Sequence, residues 1–287
     1  MMKTKNQNQK SSDLEINFDS IVLLNEAFDH VRFFEKKHEY TIDGEPAKCS
    51  VSSALKFYEK GFDATGVATN VARKTGKTVS EVLQEWDFKR DYACYRGTEF
   101  HKFVENFLER KKITIDEKAL MTFMVENNIP MQQGFINGYY EEMAKIISHF
   151  LNFYDWWKQD HVLIKSEYVM GDRESKICGT LDNLSYNKKT KKVVIFDYKT
   201  NKEIKTKNNY KETLLAPFNK YDNCELVKYS FQIWLYRLII ERNTPIKIDG
   251  GTIVWFNAGE DNYKSFPILD VRQEAEDILD KYIHEIC

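Results

Sequence analysis

The chain has 287 residues, of which 42% are apolar, so it can bury a substantial core and is not a disordered protein. Lys and Arg number 42 against 44 Asp and Glu, a formal net charge of −2, which excludes binding of polyanions through overall charge. No apolar run approaches the roughly 18 residues that a membrane span needs, and residues 1–10 lack the apolar stretch of a signal peptide. We therefore expect a cytoplasmic protein with no membrane partner.

The first third of the chain divides into a tail and a region of short elements. Residues 1–13 are polar and predict a flexible tail. The Asp43-Gly44 pair lies between two β-favouring runs and predicts a hairpin of residues 38–42 and 48–51. Residues 52–86 are interrupted by glycines and predict short helices, one of them beginning after Thr78. We assign residues 14–90 to an N-terminal hairpin and helical region.

The remaining chain, residues 91–287, alternates between helical and strand periodicity. Apolar residues at three- and four-residue spacing predict helices over 92–112, 133–159, 226–242 and 272–286. Short β-rich runs separated by turn sequences predict strands over 161–170, 178–186, 192–198 and 250–256. The order of helix, three strands, helix, strand and helix indicates an α/β domain.

Acidic residues follow apolar runs in two neighbouring predicted strands. Asp182 ends the run Gly179-Thr180-Leu181-Asp182, and Asp197 precedes Lys199 by two residues. The strand period of two puts Asp197 and Lys199 on one face, where Asp182 of the adjacent strand can meet them. Two carboxylates suit Mg²⁺ or Mn²⁺, and a lysine beside them suits activation of water. Taken alone, however, an Asp-x-Lys pair is more often a surface ion pair.

Two predicted helices carry polar pairs four residues apart, which share one helix face. His101 and Glu105 form one pair, although a lone helical histidine is more often a surface or core residue. Gln232 and Tyr236 form the other, with an amide and a phenol suited to phosphate oxygens. The alternative for this second pair is a core-facing tyrosine with an incidental glutamine.

In their order along residues 92–256, these four motifs resemble those of the RecB-like branch of the PD-(D/E)XK nuclease superfamily. The resemblance rests on Gly97 with His101, Gly179 with Asp182, Asp197 with Lys199, and Gln232 with Tyr236. It implies a restriction-endonuclease-like core, in which a central mixed β-sheet is flanked by helices. Leu181 stands where the family name has proline, a common departure that leaves the resemblance intact.

The resemblance also implies a role for each matched residue. Asp182, Asp197 and Lys199 are the expected catalytic residues, and Lys199 serves the hydrolytic water. The expected ligands of Mg²⁺ or Mn²⁺ are the side chains of His101, Asp182 and Asp197 and the carbonyl of Tyr198. Gln232 and Tyr236 are expected to position DNA. Glu105 and Glu167 are weaker candidates, either as supporting carboxylates or as ligands of a second metal.

Nine lysines between residues 188 and 211 predict a local basic patch beside this site, and Lys202 is our candidate for a DNA contact. The alternative is a solvated lysine face that keeps the protein soluble. The five cysteines are scattered and form no C-x-x-C pair, so we expect no iron–sulfur cluster.

The sequence therefore predicts a metal-dependent deoxyribonuclease that uses Mg²⁺ or Mn²⁺. We expect an exonuclease acting on single-stranded or end-processed DNA in recombination, repair or replication, with proteins of those pathways as possible partners. Two alternatives stay open: an inactive DNA-binding or scaffold protein with the nuclease fold, and a double-strand endonuclease.

Overall fold

The computed structural model describes residues 19–35, 37, 39–113, 116–130 and 132–282. The predicted tail, residues 1–13, and the end of the predicted C-terminal helix lie outside these ranges. Within them, every helix is too short or too polar to cross a membrane.

The N-terminal segment begins with a helix, α1, over residues 19–28. A small antiparallel sheet follows, made of β1 (Val31–Phe34), β2 (Glu39–Ile42) and β3 (Glu45–Pro46). Asp43 and Gly44 have φ angles of +53° and +85°, as a type I′ turn requires, so the predicted hairpin turn is confirmed. The predicted second strand is wrong, because β4 (Cys49–Ser50) leaves the hairpin and pairs with the main sheet.

Short helices connect this small sheet to a long helix. They are α2 (Val51–Ala54), a 3₁₀ turn (Lys56–Tyr58) and α3 (Ala64–Thr75). A capping box between Thr78 and Glu81 then begins α4 (Val79–Leu108). We predicted two helices here, but α4 is continuous over 30 residues because no glycine or proline interrupts it between residues 87 and 91. The domain division that we placed at residue 90 falls inside this helix.

The other elements follow the predicted order within about two residues, except that the last α-helix ends at Asp277 and a π-helical turn follows it to the end of the described residues. The elements missing from the prediction are α1, β1, β3, α5 and β9. From residue 117 onward the elements are α5 (Glu117–Glu126), α6 (Gln133–Asp160), β5 (His161–Gly171), β6 (Ile177–Asn187), β7 (Lys192–Lys199), α7 (Glu225–Asn243), β8 (Ile248–Trp255), β9 (Lys264–Pro267), α8 (Arg272–Asp277) and one π-helical turn (Ile278–Tyr282).

The central sheet has six strands and is mixed, as predicted. Strands β5, β6 and β7 are antiparallel neighbours, β7 and β8 are parallel, and β9 is antiparallel to β8. Alternate residues of β7 enter two cores: Ile195 packs with α7 and α8, and Phe196 packs with α4 and α6. The sheet is therefore flanked by helices on both faces, which is the restriction-endonuclease-like arrangement.

Strand β6 forks away from β7 at the middle of the sheet. Cys178 pairs with β5 on one edge and with Ser50 of β4 on the other. Asn183 also pairs with β5, and its other partner is Phe196 of β7. β4 and β7 therefore share one edge of β6, and residues 179–182 lie in the gap between them. Asp182 lies at the end of this gap.

Candidate active site

Three side chains from separate elements meet at the fork: His101 of α4, Glu167 of β5 and Asp182 of β6. His101 Nδ1 lies 3.0 Å from Glu167 Oε1 and 3.6 Å from Asp182 Oδ1. One ligand atom from each residue lies within 4.8 Å of the other two, close enough to hold one metal ion. The sequence predicted His101 and Asp182 as ligands and Glu167 as a weaker candidate. The structure brings all three together.

Glu167 has an unusual backbone. Its φ of +43° is in the left-handed region, which costs a non-glycine residue about 1–3 kcal/mol. The neighbouring residues Ser166 and Tyr168 pair with Asn183 and Leu181, so Glu167 lies across from Asp182. The residue with the strained backbone, Glu167, is therefore the one whose carboxylate contacts His101. In the sequence, Glu167 could be identified as an acidic residue on the predicted strand next to the Gly-x-x-Asp strand.

Asp182 links β6 to β7 through its second carboxylate oxygen. Oδ2 accepts a hydrogen bond of 2.6 Å from the backbone N–H of Tyr198 in β7. The Tyr198 side chain is buried, and its hydroxyl accepts a 2.9 Å hydrogen bond from Asn183 Nδ2. The backbone of Tyr198 is thus fixed beside Asp182, between Asp197 and Lys199.

Asp197 and Lys199 form a buried ion pair. Asp197 Oδ2 lies 2.6 Å from Lys199 Nζ, and the exposed fractions of the two side chains are 0% and 16%. Asp197 Oδ1 has no hydrogen-bond partner among the described residues. The Lys199 ammonium also lies 4.6 Å from the ring centroid of Tyr229, a cation–π distance. The prediction that Asp197 and Lys199 share one face is confirmed.

Burial and charge shift the pKa values of these groups. Burial would lower the pKa of His101, but the carboxylates of Asp182 and Glu167 raise it to about 9. Burial raises the pKa of Asp182 and of Asp197. Burial would lower the pKa of Lys199, but the Asp197 carboxylate raises it above its usual range. The histidine and the lysine are therefore both cationic at neutral pH, and they compensate the charges of the buried carboxylates.

Helix α7 presents a stripe of residues to the site. Tyr229, Gln232 and Tyr236 are three and four residues apart and share one face. Gln232 Nε2 lies 3.2 Å from the Tyr236 hydroxyl, to which it donates. Tyr236 is only 3% exposed, and a Cβ added to Gly179 would lie 2.6 Å from its ring. The Gly-x-x-Asp glycine therefore makes room for this tyrosine. Of the predicted DNA-binding pair, Gln232 is the more exposed member.

Two other predicted residues, Glu105 and Lys202, are outside the group of three that could share a metal ion. Glu105 is one helical turn beyond His101, and its carboxylate pairs with Lys111 at 2.9 Å. Lys202 follows the carboxyl end of β7 and is exposed.

The predicted basic patch is divided between the two ends of β7. Lys189 and Lys192 belong to the amino end, where they pair with Asp160 and Asp249. Lys199 is seven residue steps along the strand from Lys192, a distance of about 23 Å. The expectation that the whole patch lies beside the site is therefore wrong for the lysines between residues 188 and 192. Those from Lys202 onward follow the strand end that carries Lys199.

Arg96 of α4 links the end of β7 to helix α6. Nothing in the sequence indicated this role. Its guanidinium pairs with Glu142 of α6 and donates a 2.7 Å hydrogen bond to the carbonyl of Thr200. Glu142 also accepts a 2.7 Å hydrogen bond from the Tyr92 hydroxyl. These contacts hold α4, α6 and the end of β7 together.

The donor set fits a hard divalent cation. Among the described residues it comprises the imidazole of His101 and the carboxylates of Glu167 and Asp182. The predicted ligand Asp197 is not in this group; its carboxylate is buried beside Lys199 and has an unpartnered oxygen. Oxygen-rich sets of this kind suit Mg²⁺ and Mn²⁺.

The comparison with protein families agrees with this geometry. The family model described as the PD-(D/E)XK nuclease superfamily matches residues 78–286, which is more than two thirds of the chain. A search of curated proteins returns no significant match.

Proposed function

Because the chain belongs to the PD-(D/E)XK nuclease superfamily, we propose that it is a metal-dependent deoxyribonuclease, and more narrowly an exonuclease acting in the cytoplasm on single-stranded or end-processed DNA. The observation that carries the proposal is the meeting of His101, Glu167 and Asp182 beside the buried Asp197–Lys199 pair. Such an arrangement would place a metal ion and a fixed cation beside one phosphate, where both stabilise the charge that develops during hydrolysis.

The proposed cofactor is Mg²⁺ or Mn²⁺. Its ligands would be the side chains of His101, Asp182 and Asp197 and the carbonyl of Tyr198, with Glu167 as a further carboxylate. When bound, the ion supplies a lowered pKa for a coordinated water and screens the charge that develops on the phosphate. We propose no iron–sulfur cluster, because the cysteines are far apart in sequence. Stoichiometric iron in an anaerobic preparation would contradict that part.

Lys199 would act as a fixed cation and not as a base. Asp197 holds its ammonium on one side and the Tyr229 ring supports it on another, so the charge has a defined position. Because its pKa is raised, the ammonium keeps its proton at neutral pH and can orient the attacking water or stabilise a phosphate oxygen. Asp182 fixes the Tyr198 backbone, which keeps Asp197 and Lys199 in place.

Gln232 and Lys202 are our candidates for contacts with the DNA strand. Gln232 is partly exposed on the α7 stripe, and Lys202 is exposed three residues beyond Lys199. An amide and an ammonium both bind phosphate oxygens without reading the base, so these contacts would not depend on sequence.

The test uses end-labelled DNA and RNA, single- and double-stranded, linear and circular, with Mg²⁺, Mn²⁺ or a chelator. We expect loss of terminal nucleotides from linear DNA with either metal and no product with the chelator. Lys199→Met should remove the activity, whereas Lys192→Met should retain it, since Lys192 pairs with Asp249 at the other end of β7.

Each alternative gives a different result in the same assay. Cutting of closed circles would indicate an endonuclease. Binding of DNA without cleavage in any metal would indicate an inactive DNA-binding protein. Because recombination, repair and replication all produce free DNA ends, we propose one of these processes as the setting and its proteins as partners. Persistence of single-stranded ends in cells that lack the protein would support that setting.

A further inference from the structure

A pocket lies between the small N-terminal sheet and the start of the central sheet. Its volume is about 320 Å³, at the lower end of the range for ligand sites, so it is large enough for one small group. Its walls come from β2, β3, β4 and α2, and they include Tyr40, Thr41, Pro46, Ala47, Ser50 and Ser53.

The pocket adjoins the candidate active site through Tyr40. The Tyr40 hydroxyl lies 2.9 Å from Thr180 Oγ1, within hydrogen-bonding distance. Thr180 is two residues from Asp182 on β6, which is about 7 Å along a strand. Burial raises the pKa of Tyr40, and the nearby Glu167 carboxylate adds to that rise. Tyr40 thus connects the pocket to the strand that carries Asp182.

The chemistry of the lining favours a neutral, planar group. Of the described lining residues, Glu39 alone is charged, and it is acidic, which disfavours a phosphate in the pocket. The hydroxyls of Tyr40, Ser50 and Ser53 already bond to Thr180 or to each other, so a ligand would use the Thr41 hydroxyl and the remaining capacity of the other three. The Tyr40 ring also packs against Phe33, with centroids 4.5 Å apart, so it offers a supported aromatic surface.

We propose that this pocket binds the nucleoside adjacent to the scissile phosphate, by contact with its base. The proposal rests on the proposed nuclease function, which places the scissile phosphate at Asp182. The sugar and base attached to that phosphate would extend from Asp182 along β6 toward Thr180, which contacts Tyr40. Because stacking on an aromatic ring does not depend on which base is present, the pocket accepts any of the four bases.

The N-terminal segment therefore contributes to substrate binding. Residues 39–53 supply the lining, yet they precede residue 78, where the family match begins. Two contacts hold them on the sheet: β4 pairs with β6, and the N–H of Lys48 donates to the carbonyl of Lys176 at 2.9 Å.

The test compares a variant that fills the pocket with one that alters the same hairpin outside it. Ala47→Trp places a large side chain in the pocket, and Glu45→Trp places the same side chain on an exposed neighbour outside the lining. Single-stranded substrates carry one abasic nucleotide, moved stepwise along the chain. For the wild-type protein, we expect one position at which the abasic nucleotide raises KM about five- to a hundredfold, the range for loss of a stacked base.

In Ala47→Trp the abasic nucleotide should leave KM nearly unchanged, because the pocket no longer binds a base. In Glu45→Trp it should raise KM as much as in the wild-type protein. An equal abasic penalty in the wild-type protein and Ala47→Trp would overturn the proposal. As a second measurement, saturation-transfer NMR detects thymidine binding in the presence of chelator. Transfer that Ala47→Trp removes and Glu45→Trp retains would support the pocket, and equal transfer in all three proteins would overturn it.

The NMR measurement needs neither metal nor cleavage. A wild-type protein that cuts no DNA would therefore refute the proposed nuclease function, while thymidine binding would still decide the pocket. Tyr40→Leu is a second variant, which removes the aromatic wall without filling the space, and we expect it to weaken thymidine binding at least fivefold. Unchanged binding in Tyr40→Leu would also overturn the proposal.

Discussion

The two lysines of β7 form ion pairs that differ in burial. They allow a matched test of how burial changes the contribution of an ion pair to the free energy of unfolding. Lys192 pairs with Asp249 and Lys199 pairs with Asp197, each at 2.6 Å. The exposed fractions are 54% and 45% for the first pair, but 16% and 0% for the second. The strand and the distance are the same, so the two pairs differ chiefly in their access to water.

Lys199→Met should destabilise the protein by about 3 kcal/mol at pH 8, because removing one partner of a buried pair costs about 3–5 kcal/mol and Lys199 keeps some contact with water. Lys192→Met should cost less than about 1 kcal/mol, as surface pairs do. The measurement is urea unfolding followed by tryptophan fluorescence, in chelator, so that no metal compensates Asp197.

The loss in Lys199→Met should also depend on pH. Burial raises the pKa of Asp197 to about 6 in the wild-type protein, and the ammonium opposes that rise. Without Lys199 the folded pKa rises further above the unfolded value, so the folded variant binds a proton at low pH and loses stability as pH increases through that pKa. The difference from the wild-type protein should be small at pH 5 and full at pH 8. Equal losses in the two variants, or a loss independent of pH, would refute the reasoning.

Three further outcomes follow from the site. Mn²⁺ affinity, measured by calorimetry, should rise with pH up to about 9, because His101 must lose its proton to bind a metal; His101→Asn should flatten that dependence. Tyr229→Leu should lower kcat and shift the NMR signal of the Lys199 ammonium in the metal-free protein, whereas Tyr229→Phe should retain both. Gly179→Ala should lower the free energy of unfolding by about 1–3 kcal/mol, since its Cβ would meet a ring atom of α7 at 2.6 Å, whereas Gly250→Ala meets nothing within 4 Å and should not incur that packing cost.

Local signals in the sequence predicted most of the elements. The Asp43-Gly44 turn and the Thr78–Glu81 capping box are set by residues within four positions of each other, so both could be identified without the fold. The Asp197–Lys199 pair follows from strand periodicity in the same way. Features of this kind depend on backbone geometry that neighbouring residues determine.

Features that depend on side-chain contacts in the folded protein were predicted less well. Glu105 was a candidate because of its spacing from His101, but Lys111 binds its carboxylate. Tyr236 matched a motif, but only the packed structure shows its ring buried against Gly179. Glu167 entered the metal group through a left-handed backbone that its sequence context does not indicate.

The fork in β6 explains why the site lies where it does. In a continuous ladder the β6 edge near Asp182 would be paired with β7, and the Tyr198 N–H could bond to a backbone carbonyl. Because β7 leaves β6 after Asn183 and β4 pairs only at Ile177 and Cys178, that N–H is bound by the Asp182 carboxylate instead. The carboxylate is thereby fixed at the gap in the β6 pairing. The N-terminal segment helps to form this gap, since β4 occupies the edge on its other side.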